Sequence, residues 1–200
     1  MFFVIIISKG ELFMKKGTII IIAVIAVIAI IGFSLMGSYN SLVTLKSNVD
    51  EQYSNIQTQL QRRSDLIPNL VNTVKGYTQH ESEVLENIAD ARSKLAGATT
   101  PEEAAQADSE LSSALSRLLV VVENYPQLKA DTQFTALTDE LAGTENRIAV
   151  ARKDYNAVAK EYNVKIKKFP TVILANMFGF DESAYFEASA DAQNAPEVSF

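Results

Sequence analysis

The alternation of apolar and polar positions changes character along this chain. From Gly17 to Met36, GTIIIIAVIAVIAIIGFSLM, there is no alternation: only Thr18 and Ser34 interrupt the apolar run, and neither is charged. At about 1.5 Å rise per residue these helical positions span about 30 Å, the hydrocarbon thickness of a bilayer. A core helix keeps a polar face and this run has none, so a transmembrane helix is expected. From Tyr39 onward the pattern is periodic. Leu42, Val49, Ile56, Leu70 and Tyr77 fall on one seven-residue series, and Tyr53, Leu60, Ile67 and Val74 on a second, offset by four. Together they predict a helical stripe of about 57 Å that follows the anchor with only Gly37 as a soft point.

Two features interrupt that stripe. Arg63 occupies a seam position, and Pro68 lies inside the helical pattern, where it removes the hydrogen bond to Ser64 and costs about 3 kcal/mol. A kink, a break or both are expected in QLQRRSDLIPNLVNTVKGY. Val84, Leu85, Ile88, Ala91 and Leu95 then predict a helix within His80–Ala98. Thr100-Pro101-Glu102-Glu103 reads as a capping box with proline at the first helical position. The helix it opens buries Ala104, Ala107, Leu111, Leu115, Leu118, Leu119 and Val122 and ends at Tyr125-Pro126. The last long helix, Asp131 to Phe169, carries Phe134, Leu137, Leu141, Ile148, Ala151, Tyr155, Val158, Tyr162, Ile166 and Phe169 on one face, and Pro170 stops it. A short apolar segment, Val172–Phe180, turns at Gly179.

The expected fold is all-α: an N-terminal transmembrane helix (17–36) continuing into an antiparallel four-helix bundle (37–180) of two long and two shorter helices. Residues 1–16 form a separate N-terminal segment. Met14-Lys15-Lys16 ahead of the apolar run resembles the start of a secretory leader, so Met14 is a candidate true start; a short interfacial helix at Phe2–Ile7 is the alternative. The apolar run is longer than a cleavable leader's core, and an uncleaved signal anchor is favoured. Lys9, Lys15 and Lys16 precede the run and only Lys46 follows it closely. The positive-inside rule then puts the protein in the cell membrane as a single-pass chain with its bundle outside the cytoplasm.

Charge refines this picture. The net charge of −6 is concentrated in 181–200, which holds five acids and no base. That tail is expected to be disordered, at least from Ala188. The rest is near neutral and has no concentrated basic patch, so no nucleic-acid partner is expected. Cysteine is absent, which excludes disulfides and thiolate metal sites. The single histidine, His80, reads as a turn residue rather than, with Glu81 and Glu83, a metal corner. No phosphate-binding loop and no Gly-x-Ser-x-Gly is present. No cofactor is expected, and a non-enzymatic protein is favoured over a hydrolase.

The candidate contact or structural motif is mid-stalk: Arg62, Arg63, Asp65, Pro68 and Asn69 on the first long helix, facing Glu145, Asn146 and Arg147 on the last. If Phe169 lies beside Tyr39, antiparallel packing brings Arg63 to Glu145 or Asn146, and an Arg63–Glu145 ion pair across the seam is predicted. Arg62 and Asp65 are expected to form an i,i+3 surface pair. The cluster alternatively docks an acidic partner or lipid phosphates.

Three stretches carry a family likeness: YNSLVTLKSNVDEQYSNIQTQLQRRSDLIPNLVNTVKGYTQHE, ENYPQLKADTQFTALTDELAGTENRIAVARKDYNAVAKEYN and KKFPTVILANMFGF. In content and order they resemble the LemA family of bacterial membrane proteins over about Lys15–Phe186. Tyr53 stands where that family often has tryptophan. The resemblance implies a membrane-anchored helical bundle without a defined activity. A scaffold or adaptor for envelope proteins is expected, with an accessory subunit of a membrane peptidase or transporter as the alternative. Its partners would be the bilayer, through 17–36, a membrane or envelope protein, or a second copy of itself.

Overall fold

A computed structural model describes residues 16–78 and 81–187. Residues 1–15, 79–80 and 188–200 lie outside them, and with these the start at Met14, the Phe2–Ile7 helix, the His80 corner and the end of the tail. The described residues form six helices and no strand: α1 (Lys16–Lys75), α2 (Ser82–Gly97), α3 (Pro101–Val122), α4 (Pro126–Lys129), α5 (Thr132–Lys167) and α6 (Thr171–Phe178).

The 60-residue α1 is continuous from the apolar run through Gly37 and Pro68. At about 1.5 Å per residue it is about 90 Å long. Its first half is bare: Ile19 to Phe33 stand exposed, and this stretch is long and apolar enough to cross a membrane. Its second half packs lengthwise against α5. The two run antiparallel in strict step: the Lys46 ammonium lies over the Tyr162 ring, the Tyr53 ring lies beside Tyr155, and Arg63 meets Glu145. Each advance along α1 is matched by an equal retreat along α5. The α2–α3 hairpin closes the bundle against this pair.

Local chemistry accounts for the ends. Thr100 Oγ1 accepts from the Glu103 amide and Glu103 returns a carboxylate to the Thr100 amide, a complete capping box. Asp131 caps α5 by accepting from Gln133 and Phe134. Pro126 does not merely stop α3; with its preset φ it opens the one-turn α4. Gly179 closes α6 in the left-handed region, φ 71°, which a β-carbon disfavours.

The structure corrects several expectations. Pro68 does not break α1. Tyr77 and Phe169 lie beyond the ends of α1 and α5 and so leave their stripes; Phe169 is 81% exposed. Leu119 sits beside the seam that Leu118 and Val122 occupy and is half exposed. Residues 181–187 are not loose: they form an extended strap along α5, with Phe186 buried.

Candidate functional site

On α1 the positions seven apart, 42, 49, 56, 63 and 70, are all buried, and all are apolar except Arg63. On α3 the buried series 104, 108, 111, 115, 118 and 122 advances by alternating four and three, and all are apolar except Asp108. Each helix thus drives one charge into the core by register. The two charges meet: Arg63 Nη1 donates to Asp108 Oδ1 at 2.7 Å, and Nη2 to Ser112 Oγ at 3.0 Å. Arg152 of α5 donates through Nη2 to the other carboxylate oxygen, Asp108 Oδ2, at 2.5 Å. Glu145 Oε2 lies 2.5 Å from Arg63 Nη1, an ion contact off the hydrogen-bond direction. One carboxylate therefore ties α1 and α5 to α3, in a cluster of two guanidiniums and two acids.

Asp108 is only 1% exposed. Burial pushes its carboxyl above the ordinary range, and the Arg63 and Arg152 charges pull against it, with Glu145 adding a smaller upward push. The cluster is the wall between two clefts. One, about 1050 Å³, opens between α3 and the strap over Asp108 and Arg152, with Glu102, Glu182 and Glu187 around it. The other, about 300 Å³, is apolar and lies over Arg63 between Leu70, Leu115 and Leu141.

The strap is held by a repeat in α5, Tyr155-Asn156 and Tyr162-Asn163. Asn163 accepts from the Ser183 amide at 2.9 Å and donates to its carbonyl at 2.8 Å; Asn156 does the same for Phe186. The Tyr162 and Tyr155 hydroxyls donate to the Asp181 and Ala184 carbonyls. Seven helical residues advance about 10.5 Å and three extended residues about 10 Å. The two repeats thus match, and each Tyr-Asn pair grips the strap three residues further on. Phe186 then inserts edge-on to Tyr155, 5.3 Å between centroids, and under the Arg152 guanidinium at 5.6 Å.

Arg63 and Glu145 come together. Arg62 does not pair with Asp65; it crosses to Glu140 Oε1 at 2.7 Å, where Arg147 also arrives at 2.9 Å. Asp65 instead accepts from Gln61. The crossing is favoured because Glu140 serves two guanidiniums at once. Asn69 and Asn146 are exposed. Pro68 leaves the Ser64 carbonyl without its helical donor, and Arg92 Nε of α2 supplies one at 3.0 Å. Asp108, Arg152 and the Tyr-Asn repeat were not anticipated. For Asp108 the signal was present, since it stands on the four-three series.

The LemA family model matches residues 52–200. The chain belongs to the LemA family. It is 31% identical to Magnetosome protein MamQ 1 of Paramagnetospirillum magneticum, over 86% of this chain and 74% of that one. It is 28% identical to Magnetosome protein MamQ of Magnetospirillum gryphiswaldense, with the same shares covered. Protein LemA of Metamycoplasma hominis is 30% identical over 82% of this chain and 76% of its own. Two of the stretches that carry the LemA likeness supply the α1 and α5 sides of the cluster and both Tyr-Asn pairs, while its hub, Asp108, lies outside them. QRRSDLIPN holds Arg63, Ser64 and Pro68. TENRIAVARKDYN holds Glu145, Arg152, Tyr155 and Asn156, together with Thr144, fully buried with its hydroxyl on the Leu141 carbonyl.

Proposed function

We propose that this LemA protein is a non-enzymatic, membrane-anchored scaffold that presents a rigid bundle to envelope proteins. Residues 17–36 would cross the bilayer once as an uncleaved anchor, with the bundle on the extracytoplasmic side. The observation that carries this is the continuity of α1. Anchor and bundle share one helix, so the bundle stands at a set height and cannot swing freely. The ion pairs across its seam fasten α1, α3 and α5 further. A post of this kind suits contact with a partner at a defined distance from the membrane. The mid-height surface offers Arg62, Glu140 and Arg147 as an exposed charged cluster, with Pro68, Asn69 and Asn146 also exposed.

The test is photo-crosslinking in living cells from probes at Asn69 and Asn72, with adducts identified by mass spectrometry. A recurrent membrane protein is the expected adduct; self-adducts alone would make the protein a homo-oligomer and remove the adaptor reading at this surface. The accessory-subunit alternative is favoured by one feature. Ala23, Ala26, Ala29 and Gly32 form a small-residue line along α1, where another transmembrane helix can approach closely. Ala26→Leu with Ala29→Leu would then abolish co-purification of that partner, and would leave a bundle-mediated contact intact.

A further inference from the structure

The short α6 is apolar on both sides. Thr171, Leu174 and Ala175 face the core, whereas Ile173, Met177 and Phe178 are more than half exposed. Ile173 and Met177 are four apart and so share the outward face, and Phe169, just ahead of the helix, is also uncovered. A helix packed on the outside of a bundle keeps one apolar face, not two.

The location of α6 gives the outer face its meaning. Tyr39 stacks edge-on against Phe178 at 4.9 Å and Phe180 at 5.8 Å. Leu35, in the last turn of the apolar run, is drawn partly into the core. So α6 lies level with the point where α1 changes from bare apolar helix to bundle. Just behind it, Lys165 and Lys168 line a shallow cleft with Ser41 and Leu45 of α1. Lys167 is exposed and paired with Glu182. The order along the long axis is therefore apolar face first and cations a turn or two beyond. That is the order of acyl boundary and anionic headgroups.

We propose that α6 is a second membrane contact: it lies in the bilayer interface beside the emerging α1, with Phe169, Ile173 and Met177 in the acyl boundary and Lys165 and Lys168 among lipid phosphates. This rests on the reading that residues 17–36 span the membrane. The occupant is the bilayer because the face continues the lipid-facing surface of α1, whose Phe33 and Met36 are exposed at the same level. Two contacts fix what one helix cannot: the tilt of the bundle and its rotation about α1.

The chain has no cysteine, so single labels are clean. The full chain, as Ile173→Cys, Met177→Cys, Ile25→Cys or Asn146→Cys, is reconstituted in phosphatidylcholine–phosphatidylglycerol vesicles and spin-labelled. Collision with oxygen, which concentrates in lipid, is compared with collision with a water-soluble nickel chelate. The labels at 173 and 177 are expected to favour oxygen, at about 5–10 Å below the headgroups, whereas Asn146→Cys favours nickel. If 173 and 177 favour nickel while 25 favours oxygen, the inference is wrong and the spanning reading stands. If 25 itself favours nickel, the spanning reading fails and takes the inference with it. Labels at 173 and 177 shielded from both reagents would mean that protein covers this face, which also overturns the proposal.

Discussion

Arg92 donates its Nε–H to the carbonyl of Ser64, 28 residues away and on another helix. Ser64 is buried, and its carbonyl is the one that Pro68 strips of a helical donor. The guanidinium thus stands in for a missing amide, and α1 passes through its proline unbroken. Arg92→Ala leaves that carbonyl unsatisfied and is expected to cost about 1–3 kcal/mol. Pro68→Ala restores an amide at position 68, so the same Arg92→Ala change should cost much less in that background. Thermal unfolding of the full chain in detergent, for both single variants and the double, measures the coupling. Equal costs in the two backgrounds would show that Arg92 stabilises by other contacts.

Asp108 is the hub of the buried cluster, and its loss takes the shared carboxylate from both guanidiniums, leaving the buried Arg63 with only Ser112 and Glu145. Asp108→Ala is expected to destabilise by about 3–5 kcal/mol. Glu145→Ala should cost less, because the Glu145 side chain is 45% exposed and water can replace it. Replacing Asp108 and Arg63 together, by leucine and methionine, removes both charges and should recover much of the loss. Denaturation midpoints settle the order; a larger loss for Glu145→Ala than for Asp108→Ala would contradict it.

Much of this was legible in the sequence because burial and helical period agree over long stretches. The seam of α1, the capping box at Thr100 and Glu103 and the pairing of Arg63 with Glu145 all follow from register. Asp108 escaped because a single charged residue among serines and alanines reads as a surface position unless the four-three series is traced through it. Arg62 illustrates a different limit. An i,i+3 partner was available in Asp65, but a cross-helix carboxylate already fixed beside another arginine won. The strap was hidden by composition: acidity and alanine content suggest disorder, while its order comes from side chains a whole turn sequence away on α5 that bind its backbone.

Acid should loosen the start of α5. The amides of Phe134 and Gln133 and the Tyr77 hydroxyl hold the Asp131 carboxyl below its ordinary range. A folded value below the unfolded one means that the stabilisation is present above the unfolded value, about 3.9, and is lost as pH falls through the folded value. Asp131→Asn keeps an accepting oxygen for the cap but cannot ionise. The melting temperature of the native chain is expected to exceed that of the variant at neutral pH, and the gap to close as pH falls below about 4. A gap that stays constant into acid would show that charge plays no part in the cap.

Alkali tests the grip of the Tyr-Asn repeat on the strap. The Tyr155 hydroxyl donates to the Ala184 carbonyl at 2.8 Å. Burial first, and then the charges of Glu102, Tyr53 and Asp50, push its ionisation up to about 12. The neutral phenol is the form the fold selects. Because the folded value lies above that of a free phenol, about 10, the contribution is complete below pH 10 and is lost as pH rises through about 12. Tyr155→Phe keeps the ring against Phe186 and removes only the donor, so at pH 8 it should cost about 0.5–1.5 kcal/mol. Between pH 10 and 12 the native chain alone must suppress ionisation at this position, so its advantage over Tyr155→Phe should shrink steadily. Urea midpoints for both chains, taken across that range, measure the difference. An advantage unchanged at pH 11 would mean that Tyr155 ionises no differently in the folded chain, and that the strap does not depend on its proton.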